Sequence, residues 1–137
     1  MPIRSTIKPG SVFYFADPCL DPSIEPHYFI VINKSPQSDE VIYLLCASSQ
    51  VDKVKRMRRI HPGTTIEISP TCYNGFRVIS IVDCNVVFQK SIDELADKYG
   101  RGELKLKADM PSAVVEQLRE AVIESVVVDQ RIQDMLL

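Results

Sequence analysis

Val41-Ile42-Tyr43-Leu44-Leu45-Cys46-Ala47 is apolar without a break, the pattern of a central strand covered on both faces rather than of a half-exposed one. Before it, Ser35-Pro36-Gln37-Ser38-Asp39-Glu40 supplies polar turn chemistry, and His27-Tyr28-Phe29-Ile30-Val31-Ile32-Asn33 reads as another strand, so the two are expected to form a hairpin. Further upstream, Lys8-Pro9-Gly10 turns the chain into Ser11-Val12-Phe13-Tyr14-Phe15, a first strand, and residues 16–26 form a loop rich in Pro and Asp. Downstream, the central strand empties into Ser48-Ser49-Gln50 and then into Lys53-Val54-Lys55-Arg56-Met57-Arg58-Arg59-Ile60-His61, a dense basic segment read as a loop.

Beyond that segment, Pro62-Gly63 leads into a short strand at residues 64–68, and residues 69–76 are loop. Residues 78–88 read as one strand. Period-two geometry then puts Val78, Val82, Cys84, Val86 and Phe88 on one face, with Ile79, Ile81, Asp83 and Asn85 on the other. Asp83 and Asn85 point the same way, about 7 Å apart. A short helix at 91–99 closed by Gly100 and an alternating strand at 103–107 follow. Pro111 suits the first turn of a long helix, and Val114, Leu118, Ala121, Val122 and Ser125 recur at helical spacing. Asp129 can cap a last helix carrying Ile132 and Leu136. The expected architecture is α+β, mainly β with C-terminal helices: a small, partly open barrel with the helical stripe closing one end, in a single domain over residues 1–137.

Composition bounds the chemistry. With 137 residues, 45% of them hydrophobic and 25% charged, one globular core is expected. The formal net charge is −2, so the positive charge of the basic segment is local, and local charge steers a polyanion to one face. No apolar run approaches the roughly 20 residues of a membrane helix, and Met1-Pro2-Ile3-Arg4-Ser5-Thr6 lacks a secretory stretch, so a cytoplasmic protein is expected. Cys19, Cys46, Cys72 and Cys84 are widely spaced without a CxxC pair and read as free thiols, with neither a disulfide framework nor a zinc site. The absence of GxGxxG, HExxH, GxSxG and P-loop motifs leaves nucleotide hydrolysis, zinc proteolysis and serine hydrolysis without support, and no metal or cofactor is expected.

The succession Lys8-Pro9-Gly10-Ser11-Val12, a proline-bearing loop, Pro26-His27-Tyr28-Phe29-Ile30-Val31-Ile32, a third strand ending in Ser48-Ser49, and Asp83-Cys84-Asn85 resembles the PemK/MazF toxins over nearly the whole chain. The resemblance implies an SH3-like barrel that forms a homodimer, binds RNA across the dimer face, cleaves it without metal, and is silenced by a cognate antitoxin. Where family members open the second strand with Arg-Pro, this chain has Pro26-His27. The hydroxyl pair is kept as Ser48 and Ser49, and Asp83 and Asn85 stand where some members carry a basic residue and an acid flanking a cysteine.

Metal-independent RNA cleavage needs a base for the 2′-hydroxyl proton, an acid for the leaving 5′-oxygen, and donors around the developing phosphorane. The candidate catalytic set is His27, Ser48, Ser49 and Asp83: a histidine as acid or base, two hydroxyls donating to the phosphate, and a carboxylate that orients the histidine or acts as base. His61 is a second candidate acid or base. Lys53, Lys55, Arg56, Arg58 and Arg59, with His61, Tyr73 and Asn85, form the candidate RNA-binding set, Tyr73 and Phe76 being loop aromatics suited to stacking on a base. The expected function is a toxin endoribonuclease acting on mRNA. The alternative is a barrel of the same ancestry that no longer cleaves and only binds a protein partner or RNA.

Overall fold

One strand with apolar side chains on both sides organises the protein. A computed structural model describes residues 3–17, 25–59 and 62–137; Cys19 and His61 lie outside the described residues. Ile3–Thr6 (α1) is followed by Val12–Ala16 (β1), Pro26–Val31 (β2) and Val41–Ser48 (β3). Val51–Met57 (α2) and a 3-10 turn at Pro62–Thr64 lead to Thr65–Ile68 (β4), Ser80–Asp83 (β5) and Phe88–Ser91 (β6). Ile92–Gly100 (α3), Leu104–Lys107 (β7), Ser112–Glu124 (α4) and Gln130–Leu136 (α5) follow.

All the described pairings are antiparallel, and the strands run β4-β5-β3-β2-β1-β7 across one sheet. The predicted hairpin is β2–β3, with Tyr28 opposite Ala47 and Val31 opposite Leu44. The other edge of β3 is shared: Val41 to Leu44 pair with β6, and Ala47 and Ser48 pair with β5. The sheet path is open, ending in β4 and β7, so it does not close into a barrel.

Alternate side chains of β3 enter two separate cores. Ile42 and Leu44 join Phe13, Phe29, Ile92 and Leu95 on the face covered by α1 and α3. Tyr43, Leu45 and Ala47 join Ile30, Val114, Leu118 and Val122 on the face covered by α4 and α5. This explains the apolar run: with helices on both faces, both sides of the strand are buried from Ile42 to Leu45. The α4 stripe is as predicted, but it covers a sheet face instead of closing a barrel end. Ser91 accepts a hydrogen bond from the Glu94 N–H at the start of α3, and Asp129 accepts one from the Arg131 N–H at the start of α5, as its sequence position predicts. Among the described residues, no helix is long and apolar enough to cross a membrane.

Two segments depart from the sequence expectation. Residues 53–57 of the basic segment lie in the helix α2, not in a loop, since Lys, Arg and Met are good helix formers with no Gly or Pro among them, and Arg58 and Arg59 form the turn that follows. The single strand expected over residues 78–88 is two strands, β5 and β6, parted by a turn at Cys84-Asn85. Asp83 makes that turn. Its carboxylate accepts the Asn85 N–H at 3.1 Å and its carbonyl accepts the Val86 N–H at 3.4 Å, local bonds that compete with continued pairing.

Gly10 ties the first turn to the start of α4. Its N–H donates to the Val31 carbonyl and its carbonyl accepts the Met110 N–H, both at 2.8 Å, with φ +87°. A Cβ there would lie 2.9 Å from the Met110 oxygen and 2.9 Å from Val115 Cγ2. Gly10→Ala is expected to cost more than about 1 kcal/mol in chemical denaturation, from the left-handed backbone and the clash together.

The thiols differ sharply. Burial pushes Cys46 up to about 12, with the Asp17 charge adding to it. Burial likewise pushes Cys84 up to about 12, with Asp83 adding. Cys72 is exposed. At pH 8 a maleimide should therefore modify Cys72 in the folded protein well before Cys46 or Cys84, as read by peptide mass spectrometry.

Candidate functional site

His27 enters at the start of β2, and Ser48 and Ser49 close β3, so the antiparallel register of the hairpin brings the two ends together. They line one open groove of about 320 Å³ with Glu25, Gln50, Arg77 and Tyr14, while Phe76, 4% exposed, contributes to its inner wall. Three of the four predicted catalytic residues thus share one surface. The Gln50 N–H donates to Ser48 Oγ at 3.1 Å, which fixes the hydroxyl at the strand end and leaves its own proton to donate into the groove. Ser49 is exposed beside it.

The fourth, Asp83, does not line this groove. Arg58 Nε donates to its Oδ2 at 2.9 Å, and Asn85 Nδ2 donates to its Oδ1 at 2.8 Å. Asn85 Nδ2 also reaches Thr64 Oγ1 at 2.8 Å, and Ser125 Oγ donates to Asn85 Oδ1 at 2.7 Å. Asp83 and Asn85 bond directly across a turn, instead of standing about 7 Å apart on one face of a strand, in a network that joins the end of α2 to the α4–α5 connection.

The basic residues divide by role. Arg58 is held by Asp83, both side chains being largely buried at 28% and 18% exposed, and Lys55 Nζ lies 2.9 Å from Glu67 on β4. Lys53, Arg56 and Arg59 are exposed and, among the described residues, have no ion-pair partner. Lys53 and Arg56 stand three residues apart on α2, whose first residue follows the groove-lining Gln50.

Tyr73 is not a stacking platform. The turn at Ser69, which accepts the Cys72 and Tyr73 N–H groups at 3.0 Å, folds the loop inward. Tyr73 is 3% exposed, and its hydroxyl donates to the Ala108 carbonyl at 2.5 Å. Burial, with smaller contributions from Tyr28 and Asp109, pushes its phenol up to about 12. Gly75 passes so close to this ring that a Cβ would lie 2.5 Å from it.

Sequence reasoning missed Arg77 and Glu25. Neither belongs to a charge run or motif, and only the folding of the 69–79 segment against the hairpin brings Arg77 to the hydroxyl pair. Together the groove offers a guanidinium and hydroxyls suited to a phosphate, and an imidazole and a carboxylate suited to proton transfer. Among the described residues, no cluster of His, Cys, Asp or Glu is arranged to hold a metal ion. Compared with protein-family models and with curated proteins, the chain matches none.

Because Arg58 is tied to Asp83 whereas Arg56 faces solvent, their truncations should separate. Arg58→Ala is expected to cost about 1–3 kcal/mol of stability by stranding a largely buried carboxylate, and Arg56→Ala less than about 0.5 kcal/mol. Urea denaturation of the two variants checks this.

Proposed function

We propose that this protein is a PemK/MazF-type toxin: an endoribonuclease on an SH3-like scaffold that cuts mRNA in the cytoplasm, acts as a homodimer without a metal, and is silenced by a cognate antitoxin. What carries the reading is the meeting of His27, Ser48, Ser49 and Arg77 in one groove, with the exposed cations of α2 beginning three residues after its rim. Arg77 stands in for the arginine that the resemblance leads one to expect before the second strand. It supplies a permanent positive charge from another segment, while His27 supplies a titratable group.

In this mechanism Arg77 and the two serine hydroxyls hold the scissile phosphate and stabilise the added negative charge of the phosphorane. One of Glu25 and His27 takes the 2′-hydroxyl proton as the 2′-oxygen bonds to phosphorus. The other protonates the 5′-oxygen as its bond to phosphorus breaks, leaving a 2′,3′-cyclic phosphate and a 5′-hydroxyl. Asp83 has no part in these steps, since its carboxylate is engaged by Arg58 and Asn85.

Incubation of the purified chain with a long mixed-sequence RNA in EDTA, with the new 5′ ends mapped, tests the proposal. Cuts at a short recurring sequence are expected, with about 10²-fold or greater losses for Arg77→Ala and His27→Ala. Intact RNA from folded, antitoxin-free protein would sink it, and would favour a non-cleaving relative of that scaffold that only binds RNA or a protein partner.

A further inference from the structure

Residues on one face of the sheet carry the groove past its chemical groups. Ala47 lies opposite Tyr28, Tyr28 opposite Tyr14, and Tyr14 opposite Lys105. These four therefore form a row across β3, β2, β1 and β7, about 14 Å long at ordinary strand spacing. Ala47, Tyr28 and Tyr14 line the groove. Lys105 and Lys107 project from β7, the terminal strand of the sheet, and both are exposed. The Lys107 ammonium lies 5.3 Å from the centroid of the Tyr14 ring, and the Tyr14 and Tyr28 centroids are 4.7 Å apart with planes tilted by 49°.

We infer that Tyr14, with Lys105 and Lys107, is a second nucleotide subsite of this groove, taking an unpaired base on the tyrosine ring and its phosphate on the lysines; the inference rests on the RNA reading above. Tyr14 is partly exposed, and a cation already occupies its π-face. A lysine stem is long and flexible, so a base laid on the ring displaces the ammonium only as far as the phosphate that arrives with it. The reactive groups lie at the Ala47 end of the row, where Ser48 and Ser49 follow directly. Lys105 and Lys107 lie at the other end, so a single strand lying along the row meets these cations beyond the phosphate held by Arg77. Stacking on a tyrosine accepts any base, so this subsite adds affinity and fixes the path of the strand more than it selects a sequence.

Binding of a fluorescein-labelled 2′-O-methyl octanucleotide of randomised sequence, which has no 2′-hydroxyl to attack, tests this by anisotropy on the full chain. Tyr14→Leu should weaken binding about tenfold, whereas Tyr14→Phe, which keeps the ring, should change it little. Lys105→Gln with Lys107→Gln, at two exposed positions where folding is not at risk, should lower the salt-dependence slope by about 1.4, the value for two single-strand phosphate contacts. Binding by the wild type that neither Tyr14→Leu nor the lysine pair alters would overturn the subsite and leave the groove reading standing. No binding by the wild type would overturn both.

Discussion

A strand that is apolar on both faces cannot set its own register from hydrophobicity, because a slip of one residue exchanges one set of buried side chains for another. In β3 that task falls to Asn33. Its Oδ1 accepts the Tyr43 N–H at 2.7 Å, and its Nδ2 donates to the Val41 carbonyl and to Asp39 Oδ2, both at 2.9 Å. The side chain thus acts as one more rung of the ladder at the mouth of the hairpin. Arg119, 9% exposed on α4, donates to the Ile32 and Asn33 carbonyls at 2.8 and 3.2 Å and fixes the same corner from the helical side. Everything at the far end of the hairpin inherits this alignment, including the placing of His27 near Ser48.

The separation of structural from available charge follows from the same frame. β3 gives up its pairing with β6 after Leu44 and pairs with β5 at Ala47, which places Asp83 where the end of α2 can reach it. That consumes Arg58. Lys55 is taken by β4 across the helix. On α2 that leaves Lys53 and Arg56 exposed, and Arg77 lines the groove with the hydroxyls at the end of β3.

Much of the scaffold was legible because it depends on local pattern. The hairpin announced itself through two apolar runs about a polar turn, and the C-terminal helices through stripe and cap. Legibility failed where two local rules competed. Charge density in Lys53 to Arg59 suggested a loop, yet the same residues favour a helix once one side can rest against β5. Period-two alternation read across residues 78–88 hid a turn made by Asp83 and Asn85. The candidate site was half legible: His27 and the serine pair stand at strand ends, where sequence order shows them. Arg77 and Tyr14 join them only through tertiary placement, and Tyr73 was misjudged because a loop position says nothing about burial.

The Asn85 amide has a wider reach than its size suggests. Through Ser125 it holds the α4–α5 connection, where Val126 and Val127 stand 76% and 64% exposed, and Gln133 adds bonds from α5 to the Val122 and Ser125 carbonyls. At this corner the polar bonds add to the apolar packing of Val122, Ile132 and Leu136 in the core that covers the hairpin. Hydrogen exchange would see two tiers: early, local opening of the exposed Val126-Val127 connection, and amides of β2 and β3 released only when the whole domain unfolds.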